Sequence, residues 1–297
     1  MTERNEPTQE VDEACSMAGP TPHALRPYQD EAIMCLRDAL KAGKRRVIVY
    51  SPTGSGKTVI AAEIIRYARR KSKRVAFVCN RVELVQQTVE QLGRAGISCG
   101  VIQGDNTCTE WAPVLVCSIQ TIARRGFPDV DLFIIDEAHG CAGSRDYRKM
   151  LTKASKTPCI GLTATPFSPG LGRHYKELAG PLFESIIVAS TIPELIAAGY
   201  LVDLDVYAPS EPDLSGVKVV AGDYQEDQLA EAVDKPQLIG DIVDHWLKLG
   251  RGKQTVCFAT SIAHSRHIVQ RFQEVGIPAE HVDAYTKHEE RRDIIGR

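Results

Sequence analysis

The residues with the most recognisable chemistry form the stretch YSPTGSGKTV at positions 50–59. Gly54 and Gly56 allow the backbone to curl, so that successive N–H groups point at phosphate oxygens. The ammonium group of Lys57 can reach the β- and γ-phosphates of a nucleotide, and the hydroxyl of Thr58 can bind Mg²⁺. The residues expected to hold the phosphates are Thr53, Gly54, Ser55, Gly56, Lys57 and Thr58.

The sequence on either side of this loop fits a P-loop at all but one position. The apolar run VIVY (47–50) predicts a strand before the loop, and the spacing of Val59, Ile60 and Ile64 predicts a helix after it. The full pattern begins with glycine, whereas Ser51 stands at that position here. A glycine-rich turn that caps the helix and binds no ligand is the alternative interpretation.

Two carboxylates follow another apolar run, LFIID (132–136). The carboxyl end of a buried parallel strand lies at the sheet edge where ligands bind, so Asp136 is expected beside the P-loop. Asp136 can hold Mg²⁺ through its water shell, and Glu137 can polarise a water that attacks the γ-phosphate. A charged turn between a strand and a helix, without catalytic function, is the alternative.

The elements that must position these residues alternate along the chain. Short apolar runs are separated by amphipathic stretches such as 57–71 and 81–95, as in a parallel sheet covered by helices on both faces. This predicts a doubly wound α/β fold for residues 24–190. The predicted strands are VIVY (47–50), VAFVC (75–79), VLVC (114–117), LFIID (132–136) and CIGLT (159–163).

A second and weaker copy of the pattern begins near residue 203. Strands are predicted at 204–208, 255–259 and 279–283, and helices at 225–232, 236–249 and 261–274, with another helix starting at Lys287. The predicted organisation is a disordered acidic tail (1–23), a first domain (24–190), a linker (191–202) and a second domain (203–297).

Composition is typical of a globular protein with room for two domains. The chain has 297 residues, 43% of them apolar, and a formal net charge of −2, which neither indicates nor excludes a nucleic-acid partner. No apolar run approaches the roughly 18 residues of a membrane helix, so no membrane association is expected. The nine cysteines stand singly, which favours reduced thiols in a cytoplasmic protein, or in the host cytoplasm if a phage encodes it.

The motifs SPTGSGKT, DEAH (136–139) and GLTATPF (161–167) occur in this order, and the chain therefore resembles the superfamily 2 helicases, the DEAD/DEAH-box ATP-driven translocases. His139 and the opening LRPYQ make it most similar to the DNA-repair and restriction-type branch, which is also common in phages. The resemblance implies a RecA-like first domain, a second and incomplete RecA-like domain, and ATP and Mg²⁺ as cofactors. It also implies single- or double-stranded nucleic acid as partner, DNA rather than RNA.

The resemblance assigns further roles residue by residue. LRPYQDEAI (25–33) is similar to an adenine-sensing segment, in which Arg26 and Gln29 would contact the nucleotide. His139 would join Lys57, Asp136 and Glu137 in the catalytic set, while Thr163 and Thr165 would couple hydrolysis to strand movement by bonding His139. A capped strand end is the alternative for the two threonines. The residues expected to contact nucleic acid are Arg81, Gln87, Ser118, Gln120, Thr121 and Thr260.

Family members continue past position 297 with motifs that include an arginine reaching the γ-phosphate, so the resemblance implies a C-terminally truncated helicase with weak hydrolysis. Two other functions remain open from the sequence. One is a non-catalytic module that binds ATP and nucleic acid within a restriction or repair complex. The other is a P-loop enzyme that phosphorylates a small molecule, which the TATP segment and the second α/β unit disfavour.

Overall fold

The computed structural model describes residues 24–104, 106, 111–172, 182–207, 212–220 and 223–296. The chain divides into two compact units after Asp203. The predicted acidic tail, residues 1–23, lies outside the described residues. In the described part of the chain, no helix is long and apolar enough to cross a membrane.

The first unit is built on one parallel sheet of seven strands in the order β3-β4-β2-β5-β6-β1-β7. The predicted α/β fold is confirmed, and each of the five predicted strands is present. The two strands that the sequence pattern missed, β3 and β7, form the two edges of the sheet. The strands are β1 (Arg46–Tyr50), β2 (Val75–Cys79), β3 (Gly100–Ile102), β4 (Val114–Ser118), β5 (Leu132–Ile135), β6 (Cys159–Thr163) and β7 (Ser185–Val188).

Helices cover both faces of this sheet, which explains why its inner strands are apolar on both sides. Every residue of β2, β4, β5 and β6 is buried. One face packs against α1 (Pro27–Lys41), α2 (Lys57–Arg70) and α3 (Val82–Arg94). The other face packs against α4 (Ile119–Arg125), a 3₁₀ helix (Ala138–Cys141) and α5 (Arg145–Lys153).

Residues 191–202, predicted to be a linker, fall within the first unit instead. They contain α6 (Ile192–Ala197), which begins with a capping box formed by Thr191 and Glu194. Leu195 is buried, and the ring of Tyr200 packs against Tyr28 with their centroids 5.7 Å apart. Packing of these apolar side chains ties the segment to α1.

The second unit contains the predicted helices but not the predicted strands. The structure assigns no strand to the described residues of 204–208, 255–259 and 279–283, which corrects that expectation. Its elements are a two-stranded antiparallel hairpin, β8 (Val219–Val220) and β9 (Asp223–Tyr224), and the helices α7 (Glu226–Val233), α8 (Pro236–Leu249), α9 (Ile262–Glu274) and α10 (His288–Ile295).

The predicted strands of the second unit are absent from its described residues because a strand needs a neighbouring strand to pair with. The run at 255–259 alternates as a strand would, but Val256 is 75% exposed and Phe258 is 93% exposed. An extended segment becomes a strand only when its backbone groups pair with another strand, and none is assigned beside this one in the described residues. The apolar core of the second unit lies instead between α8 and α9, around Ile239, Val243 and Phe272.

Candidate nucleotide-binding site

The predicted motifs of the first unit meet at one edge of its sheet. The P-loop follows β1, the Asp136–Glu137 pair follows β5, and the segment Thr163–Thr165 includes the end of β6. Since β6 lies between β5 and β1, and all three strands are parallel, the three segments are neighbours. This is the edge at which ligands bind in open parallel sheets.

The P-loop adopts the backbone conformation that its glycines allow. Gly54 has φ 80° and Gly56 has φ 84°, both in the left-handed region. A Cβ atom on Gly56 would lie 2.7 Å from Nε2 of Gln29. Glycine is therefore required at position 56 both by the backbone angle and by the close approach of a side chain.

Ser51, which stands where the full P-loop pattern has glycine, stabilises the loop through buried hydrogen bonds. Its side chain is buried, and its hydroxyl lies 2.6 Å from that of Ser55, which in turn donates to the carbonyl of Pro52. Its backbone N–H donates to the carbonyl of Thr163 at 3.0 Å. Its φ does not lie in the left-handed region, so the first position of this loop has no need of glycine.

Residues at the start of α1 hold the P-loop from the other side. Gln29 is buried, and its Nε2 donates to the carbonyl of Ser55 at 2.9 Å while its Oε1 accepts from the N–H of Arg26 at 3.0 Å. The hydroxyl of Tyr28 donates to the same Ser55 carbonyl at 2.6 Å. Each end of the Gln29 amide retains one further hydrogen-bonding position, so the contact with adenine stays a prediction. The role of Tyr28 was not foreseen from the sequence.

The lysine of the P-loop and the carboxylates after β5 converge. Nζ of Lys57 lies 3.9 Å from Oε1 of Glu137, and the Lys57 side chain is only 15% exposed. Glu137 has φ 47° and ψ 52°, a left-handed conformation that is unfavourable for a residue with a side chain. Strain of this kind persists where the surrounding structure fixes it, and it is common at active sites.

Asp136 lies in an environment that disfavours its negative charge. Burial raises the pKa of this carboxyl group, and the neighbouring charge of Glu137 raises it further, while Lys57 and His139 act in the opposite direction. The Asp136 carboxylate and the Thr58 hydroxyl are oxygen ligands of the kind that Mg²⁺ prefers. A divalent cation would offset the repulsion between the two carboxylates, so these residues fit the metal expected from the sequence.

The His139 ring connects the carboxylates to the end of β6. Its Nδ1 lies 3.1 Å from the hydroxyl of Thr163 and 3.1 Å from that of Thr165. The same atom lies 3.3 Å from Oε2 of Glu137. One ring nitrogen thus has three polar neighbours, more than its single hydrogen-bonding position can serve at once. The geometry suits the coupling role, which stays a prediction.

The residues expected to contact nucleic acid differ in how accessible they are. Arg81, at the start of α3, and Gln87, within it, are exposed. Ser118 is buried, with 2% of its surface exposed, and its hydroxyl donates to Oε1 of Gln120 at 2.7 Å. Burial disfavours a direct phosphate contact by Ser118, whose bond holds the exposed Gln120; its contact with nucleic acid stays a prediction.

The other two predicted contacts are also engaged within the chain. The Thr121 hydroxyl accepts a hydrogen bond from the N–H of Gly104 at 3.0 Å. Thr260 lies in the second unit, where its hydroxyl is 3.1 Å from Nδ1 of His264. Both oxygens retain a lone pair for a ligand, so their contact with nucleic acid stays a prediction.

Comparison with known proteins shows which families the chain is similar to. The family model described as "Type III restriction enzyme, res subunit" matches residues 22–168, which include the P-loop, DEAH and TATP segments. This match, together with the relatives below, makes the chain similar to the superfamily 2 helicases of the restriction and repair branch. Two curated relatives extend beyond this range. A 51.5 kDa protein of a Lactococcus phage (isolate 7-9) is 29% identical over 84% of this chain and 51% of its own length.

The putative ATP-dependent helicase IRC3 of Saccharomyces cerevisiae is 29% identical, over 91% of this chain and 42% of its own length. The chain thus spans about half the length of these relatives. Among solved structures, the ATP-dependent type ISP restriction-modification enzyme LlaBIII bound to DNA matches with a TM-score of 0.55 and 16% identity. That match covers 86% of this chain and 22% of the enzyme. The likeness at this identity supports the fold.

Proposed function

We propose that this chain is the motor part of an ATP-dependent helicase or translocase that acts on nucleic acid, with DNA as the expected substrate. The observation that carries the proposal is the 3.9 Å distance between Nζ of Lys57 and Oε1 of Glu137, at the sheet edge where β1 leads into the P-loop. The proposal draws on the restriction-enzyme family model and on relatives named as ATP-dependent helicases. The solved relative bound to DNA favours DNA over RNA.

The residues of the site have separate tasks in this proposal. The N–H groups of the P-loop and the ammonium of Lys57 bind the β- and γ-phosphates. Thr58 and Asp136 would hold Mg²⁺, which neutralises charge on the phosphate oxygens. Glu137 orients and deprotonates the attacking water, and its left-handed backbone aims the carboxylate toward Lys57.

Coupling to movement is assigned to His139 and the threonines after β6. A change in the charge near Glu137 alters which of its three neighbours the His139 Nδ1 atom bonds. Thr163 and Thr165 then transmit this change to the segment that follows β6. Nucleic acid would lie across the exposed carboxyl edge, held by Arg81 and other exposed polar residues through sugar and phosphate contacts without sequence readout.

The proposal is tested by ATP hydrolysis measured with no nucleic acid and with single-stranded DNA, double-stranded DNA or RNA. Lys57→Ala and Glu137→Gln are the matched variants. We expect weak turnover that DNA stimulates, loss of nucleotide binding in Lys57→Ala, and retained binding without turnover in Glu137→Gln. Hydrolysis by Lys57→Ala at the rate of its parent would refute the assigned site. Binding of ATP and DNA without any turnover would instead favour the non-catalytic module.

A further inference from the structure

The Thr58 hydroxyl is hydrogen-bonded to a helix outside the P-loop. Its Oγ1 donates to Oε1 of Gln91 in α3 at 3.0 Å. A hydroxyl oxygen that donates its hydrogen retains two lone pairs as acceptors. The bond is therefore compatible with cation binding by Thr58, and it fixes the direction in which those lone pairs point.

The same helix carries two residues that are predicted to contact nucleic acid. Arg81 is the N-cap of α3, and Gln87 is exposed four residues before Gln91. Residues four apart are neighbours on one side of a helix, so Gln87 and Gln91 lie on the same face of α3. A second bond holds α3 to α2, since Arg66 donates to the carbonyl of Ala95 at 2.7 Å. One helix thus carries the predicted nucleic-acid contacts and the hydrogen-bond partner of Thr58, the predicted metal ligand.

We propose that Gln91 is a positioning residue that couples nucleic-acid binding on α3 to the orientation of the Thr58 hydroxyl. The inference rests on the proposed function, because it requires the P-loop to bind ATP and α3 to contact nucleic acid. A hydroxyl that binds a cation is a stronger donor, so a metal held by Thr58 would strengthen the bond to Gln91. Coupling between binding sites is reciprocal, so a nucleic acid that fixes α3 must in turn favour the metal-bound orientation of Thr58.

The test measures a coupling factor, defined as the Kd for a fluorescent ATP analogue with Mg²⁺ divided by its Kd in saturating single-stranded oligo(dT). Gln91→Met removes the acceptor and keeps the side-chain length. Loss of one hydrogen bond is expected to lower the coupling factor by roughly 2- to 10-fold. Gln91→Glu keeps an acceptor oxygen and is expected to retain the coupling. Gln91→Ala carries the same prediction as Gln91→Met, should the methionine variant fail to fold.

Gln86→Met is the matched control on the same helix. Gln86 is exposed and donates to Glu90 at 3.2 Å, away from the P-loop, so its replacement is expected to leave the coupling factor unchanged. Removing Mg²⁺ with EDTA is expected to bring the coupling of the parent protein close to that of Gln91→Met. Melting temperatures of all variants separate a loss of coupling from a loss of folding.

A coupling factor in Gln91→Met equal to that of the parent would overturn the inference. So would a parent that binds both ligands with no effect of one on the other. Neither result bears on the proposed nucleotide site, which would fail if the parent did not bind ATP or if Lys57→Ala bound it equally well.

Discussion

Gly161 lies in the middle of β6, where a larger side chain would press on the turn that carries Glu137 and His139. A Cβ atom at this position would come 2.7 Å from Cβ of Ala138 and 3.0 Å from two ring atoms of Phe183. Carbon atoms pack at about 3.5–4.0 Å, so Gly161→Ala forces one of these groups to move by about 1 Å. Ala138 stands between the two site residues and would move them with it.

The expected effects follow from this displacement. Overpacking of a buried site costs about 1–3 kcal/mol, which lowers the melting temperature by about 2–12 °C for a unit of this size. A misplacement of about 1 Å at a reacting centre can reduce turnover by about 10²-fold. The assay is thermal unfolding of each variant, followed by ATP binding and hydrolysis at a temperature where all variants are folded.

Two further variants separate the clash with Ala138 from the general effect of adding a methyl group. Gly93→Ala in α3 has no atom within 4 Å of the new methyl group and is expected to stabilise the protein by about 0.5–1 kcal/mol. Adding Ala138→Gly to Gly161→Ala removes the closest contact and should restore part of the lost stability. Full stability in Gly161→Ala would refute the packing argument. A double variant no more stable than Gly161→Ala would assign the clash to Phe183 instead of the turn.

Four other perturbations have expected outcomes. Burial raises the pKa of Asp136, so its charge destabilises the fold increasingly as the pH rises through that pKa. Asp136→Asn should therefore raise the melting temperature of the nucleotide-free protein at neutral pH. Hydrogen bonds from neighbouring groups lower the pKa of Asp131, so its charge stabilises the fold at pH values above the pKa that Asp131 has in the unfolded chain. Asp131→Asn should therefore lower the melting temperature under the same conditions. Gly56→Ala places a side chain at φ 84° and should cost about 1–2 kcal/mol, measured by denaturant unfolding, together with nucleotide affinity. Thiol labelling at pH 8, followed by mass spectrometry, should modify the exposed Cys35 and spare Cys79, since burial raises the pKa of Cys79 to about 12; equal labelling of both would contradict the fold.

The inner sheet and its motifs were predictable because their signals are local. Four inner strands are buried throughout and mostly apolar, and the residue types of the loop with Gly54, Gly56 and Lys57 themselves determine its conformation. The edge strands β3 and β7 escaped prediction because they are short and only partly buried. Periodicity does not distinguish such strands from irregular chain.

What the sequence could not indicate depends on contacts between distant segments. The bond from Thr58 to Gln91 joins residues 33 positions apart, and the brace from Tyr28 to the P-loop joins residues 27 apart. The strand predicted at the described residues 255–259 is absent for a related reason. Its pattern describes a segment that can be buried in a sheet, but whether a partner strand lies beside it is a property of the tertiary structure.

The central claim is that the Lys57 loop and Asp136 bind the phosphates and the metal of one nucleotide. The most direct measurement is the ATP affinity of the parent, Lys57→Ala and Asp136→Asn, each with and without Mg²⁺. We expect Mg²⁺ to tighten binding in the parent, this effect to disappear in Asp136→Asn, and Lys57→Ala to bind weakly under both conditions. An undiminished effect of Mg²⁺ in Asp136→Asn would contradict the claim, because the metal would then be held elsewhere.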